Sequence, residues 1–377
     1  MEHPSAMASD ATDLGRYLAL MVKHGASDLF LSSDAPASLK IQGKIRRLPE
    51  APLEGVQIKA LAYSVMRETQ VRAFEAELEC DLAIAMQGLG RFRINVYRQR
   101  GEVAVVVRHI NSQIPSLASL KLPPILQTLA MLKRGLVLVV GAAGSGKSTS
   151  LAAMLDYRNQ MASDHILTVE DPMEFEHSHK KSIIDQREVG LDTRSFDEAL
   201  RRAMREAPDV IMIGEIRDRE TMQHAIAYAE TGHLCLSTLH ANNANQAIQR
   251  ILNFFPETAK RQVLMDLSLN LKGVVGQRLL QGTTGQRVPA VEVMLLSPYV
   301  SELIQKGQTD EIKAAMAKST EMGMATFDQS LYELYVRGDI TLEQAIEQAD
   351  SKTDLSLHIR LTSGRPPDGG AFSMQPG

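Results

Sequence analysis

Cysteine is scarce. The 377 residues hold only Cys80 and Cys235, far apart and each in apolar surroundings. Two thiols cannot build a four-thiolate zinc site, and the pair reads as reduced core residues of a cytosolic protein. No run of about 18 apolar residues occurs, so no membrane-spanning helix is expected. The start, Met1-Glu2-His3-Pro4-Ser5, has no basic stretch leading into an apolar one, and no secretion signal is expected. A dense Lys/Arg tract is also missing and the formal net charge is −4. Binders of nucleic acid usually carry a basic footprint, which weakens a translocase reading without removing it, because a basic pore can sit within an acidic average. No internal repeat is present. Apolar residues are not in short supply: at 44% of the chain they suffice for real cores, and the length suggests two domains.

The clearest feature present is Gly141-Ala142-Ala143-Gly144-Ser145-Gly146-Lys147-Ser148, followed by Thr149. Before it runs Leu136-Val137-Leu138-Val139-Val140, an apolar stretch fit for a strand buried on both faces. After it, residues 149–155 suit a helix. Glycines let the backbone wrap an anion with its N–H groups aimed inward, and the helix N-terminus adds partial positive charge. Lys147 is the residue to reach the β- and γ-phosphates, and the Ser148 hydroxyl suits magnesium. A bare Gly-rich turn is the alternative, and the Lys-Ser pair with a strand in front argues against it. The chain is therefore expected to bind a nucleoside triphosphate with Mg2+. No Asn-Lys-x-Asp guanine motif occurs, which favours ATP.

Leu14, Tyr17, Leu18, Met21 and Val22 fall at helical spacing, with Gly25 placed to end the helix. Strands are expected at 28–31, at 39–41 and 44–46 as a hairpin about Gln42-Gly43, and at 91–98 and 103–108. In the 91–98 strand Phe92, Ile94 and Val96 alternate with Arg91, Arg93 and Asn95. Residues 1–112 thus read as a small α+β domain and the proline-marked 113–124 as a linker. From 125 to 353 the pattern becomes strand, loop, helix, with strands at 136–140, 166–169, 210–213 and 234–238. This is the mark of a mostly parallel α/β sheet that binds ligands at the carboxyl ends of its strands. Residues 354–377, with Ser363-Gly364-Arg365-Pro366-Pro367, read as a disordered tail.

Polar groups stand at those strand ends. Ile166-Leu167-Thr168-Val169 leads into Glu170-Asp171-Pro172, where Glu170 suits a water-positioning base and Asp171 either function or a helix cap. Val210-Ile211-Met212-Ile213 leads into Gly214-Glu215, the placement of an acid that holds magnesium. His233 and His240 bracket the 234–238 strand. Each is either structural or a sensor of the γ-phosphate, and His240 is assigned to the catalytic set. Arg91, Arg93, Arg98, Arg100 and Arg108 form either a solvated strand face or guanidinium donors that reach a phosphate across a domain or subunit boundary.

Taken in order, these blocks resemble the secretion and type IV pilus family of hexameric motor ATPases. The match rests on the 141–148 loop, an "Asp box" at 166–175, Gln186-Arg187-Glu188-Val189-Gly190, a Walker B block at 207–218 and a "His box" at 231–240. Gly25-Ala26-Ser27-Asp28-Leu29 and the short first domain are similar to the retraction branch. The 232–246 phrase and Asn253-Phe254-Phe255-Pro256-Glu257 are similar to its accessory paralogue. Where the main retraction ATPase has an Ala-Ile-Arg-Glu-Gly-type helix, this chain reads Ser301-Glu302-Leu303-Ile304-Gln305-Lys306-Gly307. The resemblance implies an α/β chain, a PAS-like α+β domain followed by a RecA-like P-loop ATPase domain. It also implies a homo-hexamer, with arginine fingers at Arg93 and Arg108. The roles of Glu170 and Glu215 stay interchangeable. The implied partners are the main pilus retraction ATPase and an inner-membrane platform protein. The implied location is the cytoplasmic face of the inner membrane, by peripheral association only and without direct nucleic-acid binding. The alternatives are the main retraction ATPase itself, a RecA-like nucleic-acid translocase, and a nucleotide-binding adaptor with little hydrolysis.

Overall fold

Residues 13–363 are described by a computed structural model, and they divide into two units. The first takes the described residues up to Gln113 together with Pro172–Ser178 and Arg187–Ser195; the second takes the rest. Among the described residues no helix is long and apolar enough to cross a membrane.

In the first unit, α1 (Asp13–Lys23) buries Leu14, Tyr17, Leu18 and Met21, one stripe at helical spacing. Gly25, at φ +60°, turns the chain out of it. There follow β1 (Asp28–Leu31), β2 (Ser38–Ile41), β3 (Lys44–Arg47), α2 (Gly55–Tyr63), α3 (Glu68–Glu77), β4 (Glu79–Met86), β5 (Gly90–Gln99) and β6 (Glu102–Ile110). The strands form an antiparallel sheet in the order β3-β2-β1-β6-β5-β4. Two of its hairpins close on two-residue turns, Gln42-Gly43 and Arg100-Gly101, with φ positive at both positions, the geometry that matches strand twist. Phe92, Ile94 and Val96 of β5 are fully buried, as their alternation predicts.

The second unit comprises α4 (Ile125–Ala130), β7 (Gly135–Val140), α5 (Lys147–Met161), β8 (His165–Glu170), β9 (Ile183–Glu188, whose last two residues, Arg187 and Glu188, belong to the first unit), α6 (Phe196–Ala203), β10 (Val210–Ile213), α7 (Arg219–Glu230) and β11 (Leu234–Leu239). It continues through α8 (Ala244–Asn253), α9 (Glu257–Asn270), β12 (Leu271–Gln281), β13 (Arg287–Leu295), α10 (Pro298–Lys306), α11 (Ile312–Ala317), α12 (Phe327–Val336), α13 (Leu342–Gln348) and α14 (Lys352–Ser363). The sheet order is β13-β12-β7-β11-β10-β8-β9. The run from β12 to β8 is parallel and β13 closes it antiparallel. Every residue of β7, β10 and β11 is buried, which explains the apolar runs of β7 and β10; in β11 the buried Ser237 and Thr238 hydroxyls donate to the Ile213 and Gly214 carbonyls at 2.7 Å each.

Two expectations are corrected. Residues 113–124 are not a bare linker: Leu117 and Leu122 are buried in the core of the second unit beside Leu126 and Val137. Nor is the chain disordered from 354. Helix α14 continues to Ser363 because Leu355 and Ile359, one helical turn apart, bury against a second core with Phe327, Leu331 and Ala345. Ser351 starts it, its hydroxyl accepting from the Asp354 amide at 3.3 Å. The rest of the expected tail, 364–377, and residues 1–12 lie outside the described residues. Cys235 is buried and Cys80 half-buried; both are free thiols whose pKa is pushed up by burial.

Candidate functional site

Strand β7 delivers the chain into the glycine loop, and α5 begins at Lys147. The loop lies against Gln277 of β12. A Cβ on Gly141 would stand 2.5 Å from the Gln277 carbonyl oxygen, and one on Gly146 2.8 Å from its side-chain nitrogen. Gly146 also sits at φ +89°, where side chains are strained. Gln277 is itself buried and accepts a 2.7 Å hydrogen bond from the Ser150 hydroxyl. Lys147 is buried, and its Nζ donates to the carbonyls of Gly141 and Ala142 at 3.0 Å each. The hydroxyl of Ser145 is buried with no hydrogen-bond partner. A polar concavity with an orphan hydroxyl and a lysine at the start of a 15-residue helix fits a bound polyphosphate. Ser148 and Thr149 occupy the first turn of α5, next to it. Cavities of about 480 and 390 Å³ open on the loop. The first is walled by Asn242, Asn243, Gln246 and Asp350, the second by His240, Gln249 and Arg250.

The other second-unit candidates stand on the same edge of the sheet. The registers Val140↔Leu239, Ser237↔Ile213 and Ile213↔Val169 align the carboxyl ends of β7, β11, β10 and β8. Glu170 is the last residue of β8 and is buried; its Oε1 accepts from the Thr168 hydroxyl at 2.7 Å and the Gln186 amide at 3.1 Å. Glu215 follows β10. Its Oε2 accepts from Arg217 Nε at 2.7 Å, and its Oε1 lies 3.0 Å from His240 Nε2. Arg217 also reaches Asp171 Oδ2 at 3.4 Å, and its hydrogen bond to Glu215 raises its pKa further. Asp171, Arg217, Glu215 and His240 thus form one chain of charge across three strand ends. Asp171 caps no helix; the cap on this edge is Asp218, which accepts from the Thr221 amide at the start of α7.

The two histidines separate by strand direction. His240 leaves the carboxyl end of β11 beside the loop. His233 enters the amino end, roughly 20 Å away by strand rise, and its ring stays with Thr231 and the Tyr228 carbonyl.

The arginine series also separates. Arg98 pairs with Glu75 and lies over the Phe74 ring, a packing role. Arg100 occupies a hairpin turn. Arg93 and Arg108 are directly paired residues of β5 and β6. Arg108 Nε donates to buried Asp28 at 2.9 Å. Arg93 NH1 lies 3.3 Å from Glu188, whose side chain is fully buried, and NH2 lies 3.7 Å from Asp81. Burial pushes the Glu188 carboxyl pKa up, against the pull of Arg93 and Arg91. Sequence reasoning singled out the 186–190 segment only by resemblance; it missed Gln277, Arg217 and the pairing of Glu188. Gln277 stands in a strand whose mixed composition hides it.

A glycine loop opening a helix at the carboxyl edge of a parallel sheet, with acids at the neighbouring strand ends, defines a RecA-like P-loop domain preceded here by an antiparallel α+β domain. The profile of the type II/IV secretion system protein family matches residues 11–361, and the chain belongs to that family. It is 53% identical over 349 residues to the type IV pilus ATPase PilU of Pseudomonas aeruginosa, covering 92% of this chain and 91% of that one. It is 42% identical over 337 residues to the retraction ATPase PilT of the same organism, covering 89% of this chain and 98% of that one. Among solved structures it is similar to the pilus retraction motor PilT with bound ADP. That match has a TM-score of 0.85 and 41% identity, and covers 93% of this chain and all of that one.

Proposed function

We propose that the protein is an ATP-hydrolysing hexameric motor of type IV pilus retraction, working as an accessory to the main retraction ATPase. The observation that carries the chemistry is the shared strand edge, where the loop with Lys147, the Glu215–His240 pair and Glu170 stand side by side. The 53% identity to PilU over nine-tenths of both chains carries the assignment to pilus retraction.

In this reading the backbone N–H groups from Gly141 to Thr149, with Ala142, Gly144, Ser145 and Gly146 between, cradle the phosphates, and Lys147 compensates the β/γ charge. Magnesium bound with ATP neutralises phosphate charge; Ser148 and Glu215 are the residues to hold it. Glu170 orients the attacking water. The water oxygen bonds to the γ-phosphorus and the bond to the bridging oxygen breaks. ADP leaves with that oxygen, and the water's proton passes to Glu170 and on to phosphate. His240 reports the γ-phosphate to Glu215 through their 3.0 Å contact. Arg93 and Arg108 stabilise the charge of the transition state. The partners are further copies of this chain, the main retraction ATPase and a platform protein at the cytoplasmic face of the inner membrane.

The test is ATP turnover by the purified chain alone and with the main retraction ATPase, together with twitching in a strain lacking the chain. Measurable turnover, enhanced by the co-motor, is expected. A chain that binds ATP and never hydrolyses it would be an adaptor, and stimulation by single-stranded DNA would favour the translocase.

A further inference from the structure

Arg158 shows how this protein holds a structural arginine. It is buried, its Nε donates to Asp164 at 2.6 Å, and its NH1 donates to the carbonyls of Ala130 and Leu132 at 2.8 and 2.6 Å. Arg93 is held differently. It faces two carboxylates, at 3.3 and 3.7 Å, and no hydrogen bond of its guanidinium is present among the described residues. Glu188, fully buried, makes no hydrogen bond to Arg93, although it lies within ion-pair range of it; its other polar neighbour is the Met173 backbone, too poorly aligned to close a full hydrogen bond. Burying a carboxylate in that state costs several kcal/mol, so a purely structural pair closes its hydrogen bonds.

The position of Glu188 is fixed from behind. Its amide donates to Asp192 Oδ2 at 2.9 Å, and its carbonyl accepts from the Asp192 amide at 2.8 Å, a tight turn that fixes the backbone from which the side chain projects. Arg91 lies two residues before Arg93 on the same face of β5, and its Nε is buried without a hydrogen-bond partner. Arg108 repeats the arrangement: buried Asp28 engages only its Nε, and 61% of its side chain is exposed. In both cases a buried carboxylate fixes one side of a guanidinium and leaves other donors available.

We propose that Glu188 is the positioning residue of Arg93, setting the guanidinium by charge alone so that its N–H donors remain available to a phosphate oxygen. The inference rests on the reading of Arg93 as a phosphate-stabilising arginine. Placement of this kind is worth roughly 10-fold to 100-fold in rate.

The test is a double-mutant cycle in the full chain: ATP turnover and KM for wild type, Arg93→Ala, Glu188→Gln and the pair, with melting temperatures. Glu188→Gln should lower kcat at least tenfold with KM for ATP nearly unchanged. In the Arg93→Ala background the same change should have no further effect on kcat. Glu188→Asp, which keeps the charge, should restore most of the turnover that Glu188→Gln loses. An equal fall in kcat with and without Arg93, or a fall in melting temperature with kcat intact, overturns the assignment. If Arg93→Ala itself leaves turnover unchanged, the arginine reading falls and this one with it. If Glu188→Gln does not fold, Glu188→Ala, which also removes the charge, takes its place: a loss of kcat seen with Arg93 present and absent in the Arg93→Ala background supports the proposal, and an equal loss in both refutes it.

Discussion

Arg93 and Arg108 stand opposite one another across the β5–β6 ladder, two like charges in a directly paired position. Paired β carbons lie only about 5 Å apart, and like charges there destabilise a sheet. The sheet bears this because Asp28, paired with Arg108 on the other side, and Glu188 and Asp81 beside Arg93 balance the charge.

Two guanidinium groups side by side suit a multiply charged anion, the role proposed for them. Arg93→Ala or Arg108→Ala should lower kcat by about 10³-fold, the scale of an arginine finger, with far less change in nucleotide affinity. Steady-state kinetics and equilibrium binding of a fluorescent nucleotide separate the two effects. If the arginines serve a neighbouring chain, mixing either variant with Lys147→Ala should restore part of the activity. No recovery in rings shown by native mass spectrometry to be mixed places their action within one chain.

Lys147→Ala should abolish hydrolysis. Its Nζ bonds the carbonyls of Gly141 and Ala142, so the ammonium lies inside the loop it serves, and no other cation of the loop replaces it. Turnover near that of wild type in a clean preparation would remove the loop from the site.

Glu170→Gln and Glu215→Gln keep shape and lose charge. Each should reduce turnover at least 100-fold while ATP binding persists. Glu215→Gln should also loosen His240 and Arg217, which both contact that carboxylate. Normal hydrolysis by either variant marks its glutamate as structural.

Glu292 of β13 gives a pH prediction. Its buried carboxyl accepts from the Ala244 amide at 2.7 Å, with Asp350, Arg278 and Lys313 as its charged neighbours. Burial above all pushes its pKa from 4.5 up to about 7. Between those values the folded protein keeps a proton that the unfolded chain has lost, so this group's contribution to stability falls as pH rises and levels off above pH 7. Glu292→Gln has no such titration. Its stability relative to wild type should rise with pH through that window by up to about 3 kcal/mol, each pH unit counting about 1.4 kcal/mol. Urea unfolding at pH 5, 6, 7 and 8 measures it; parallel curves refute it.

Much of the second domain was legible because central parallel strands must be continuous apolar runs, and the chemistry sits where those runs stop, at Glu170, Gly214-Glu215 and His240. The first domain was legible through the alternation in β5. Strands β12 and β13 were not, since Lys272, Gly273, Gly276, Gln277 and Arg278 interrupt any period. His233 and His240 look symmetrical in the sequence, and only the direction of β11 relative to the loop distinguishes them. Asp171, Arg217, Glu215 and His240 meet because β8, β10 and β11 are neighbours, an order that no local pattern encodes. Arg93 and Glu188 lie 95 positions apart, beyond the reach of any periodicity. In helix α14 the buried Leu355 and Ile359 alternate with the exposed Leu357 and Leu361, which hides the helical stripe, and the glycines and prolines after it masked it further.

Gln277 and Arg278 are consecutive, and their side chains serve opposite faces of β12. Gln277 holds Ser150 of the helix behind the phosphate loop. Arg278 stacks on Phe327 at 3.8 Å and binds the Gln348 carbonyl and Asp350. One peptide unit therefore joins the helix that follows the phosphate loop to the C-terminal helices, with no slack to absorb a change of length. For anyone redesigning this protein, β12 is a rigid axle: side chains may be exchanged on either face separately. Inserting or deleting one residue between Gly273 and Gln277 would turn both faces over at once and disconnect the phosphate loop from the C-terminal layer in a single step.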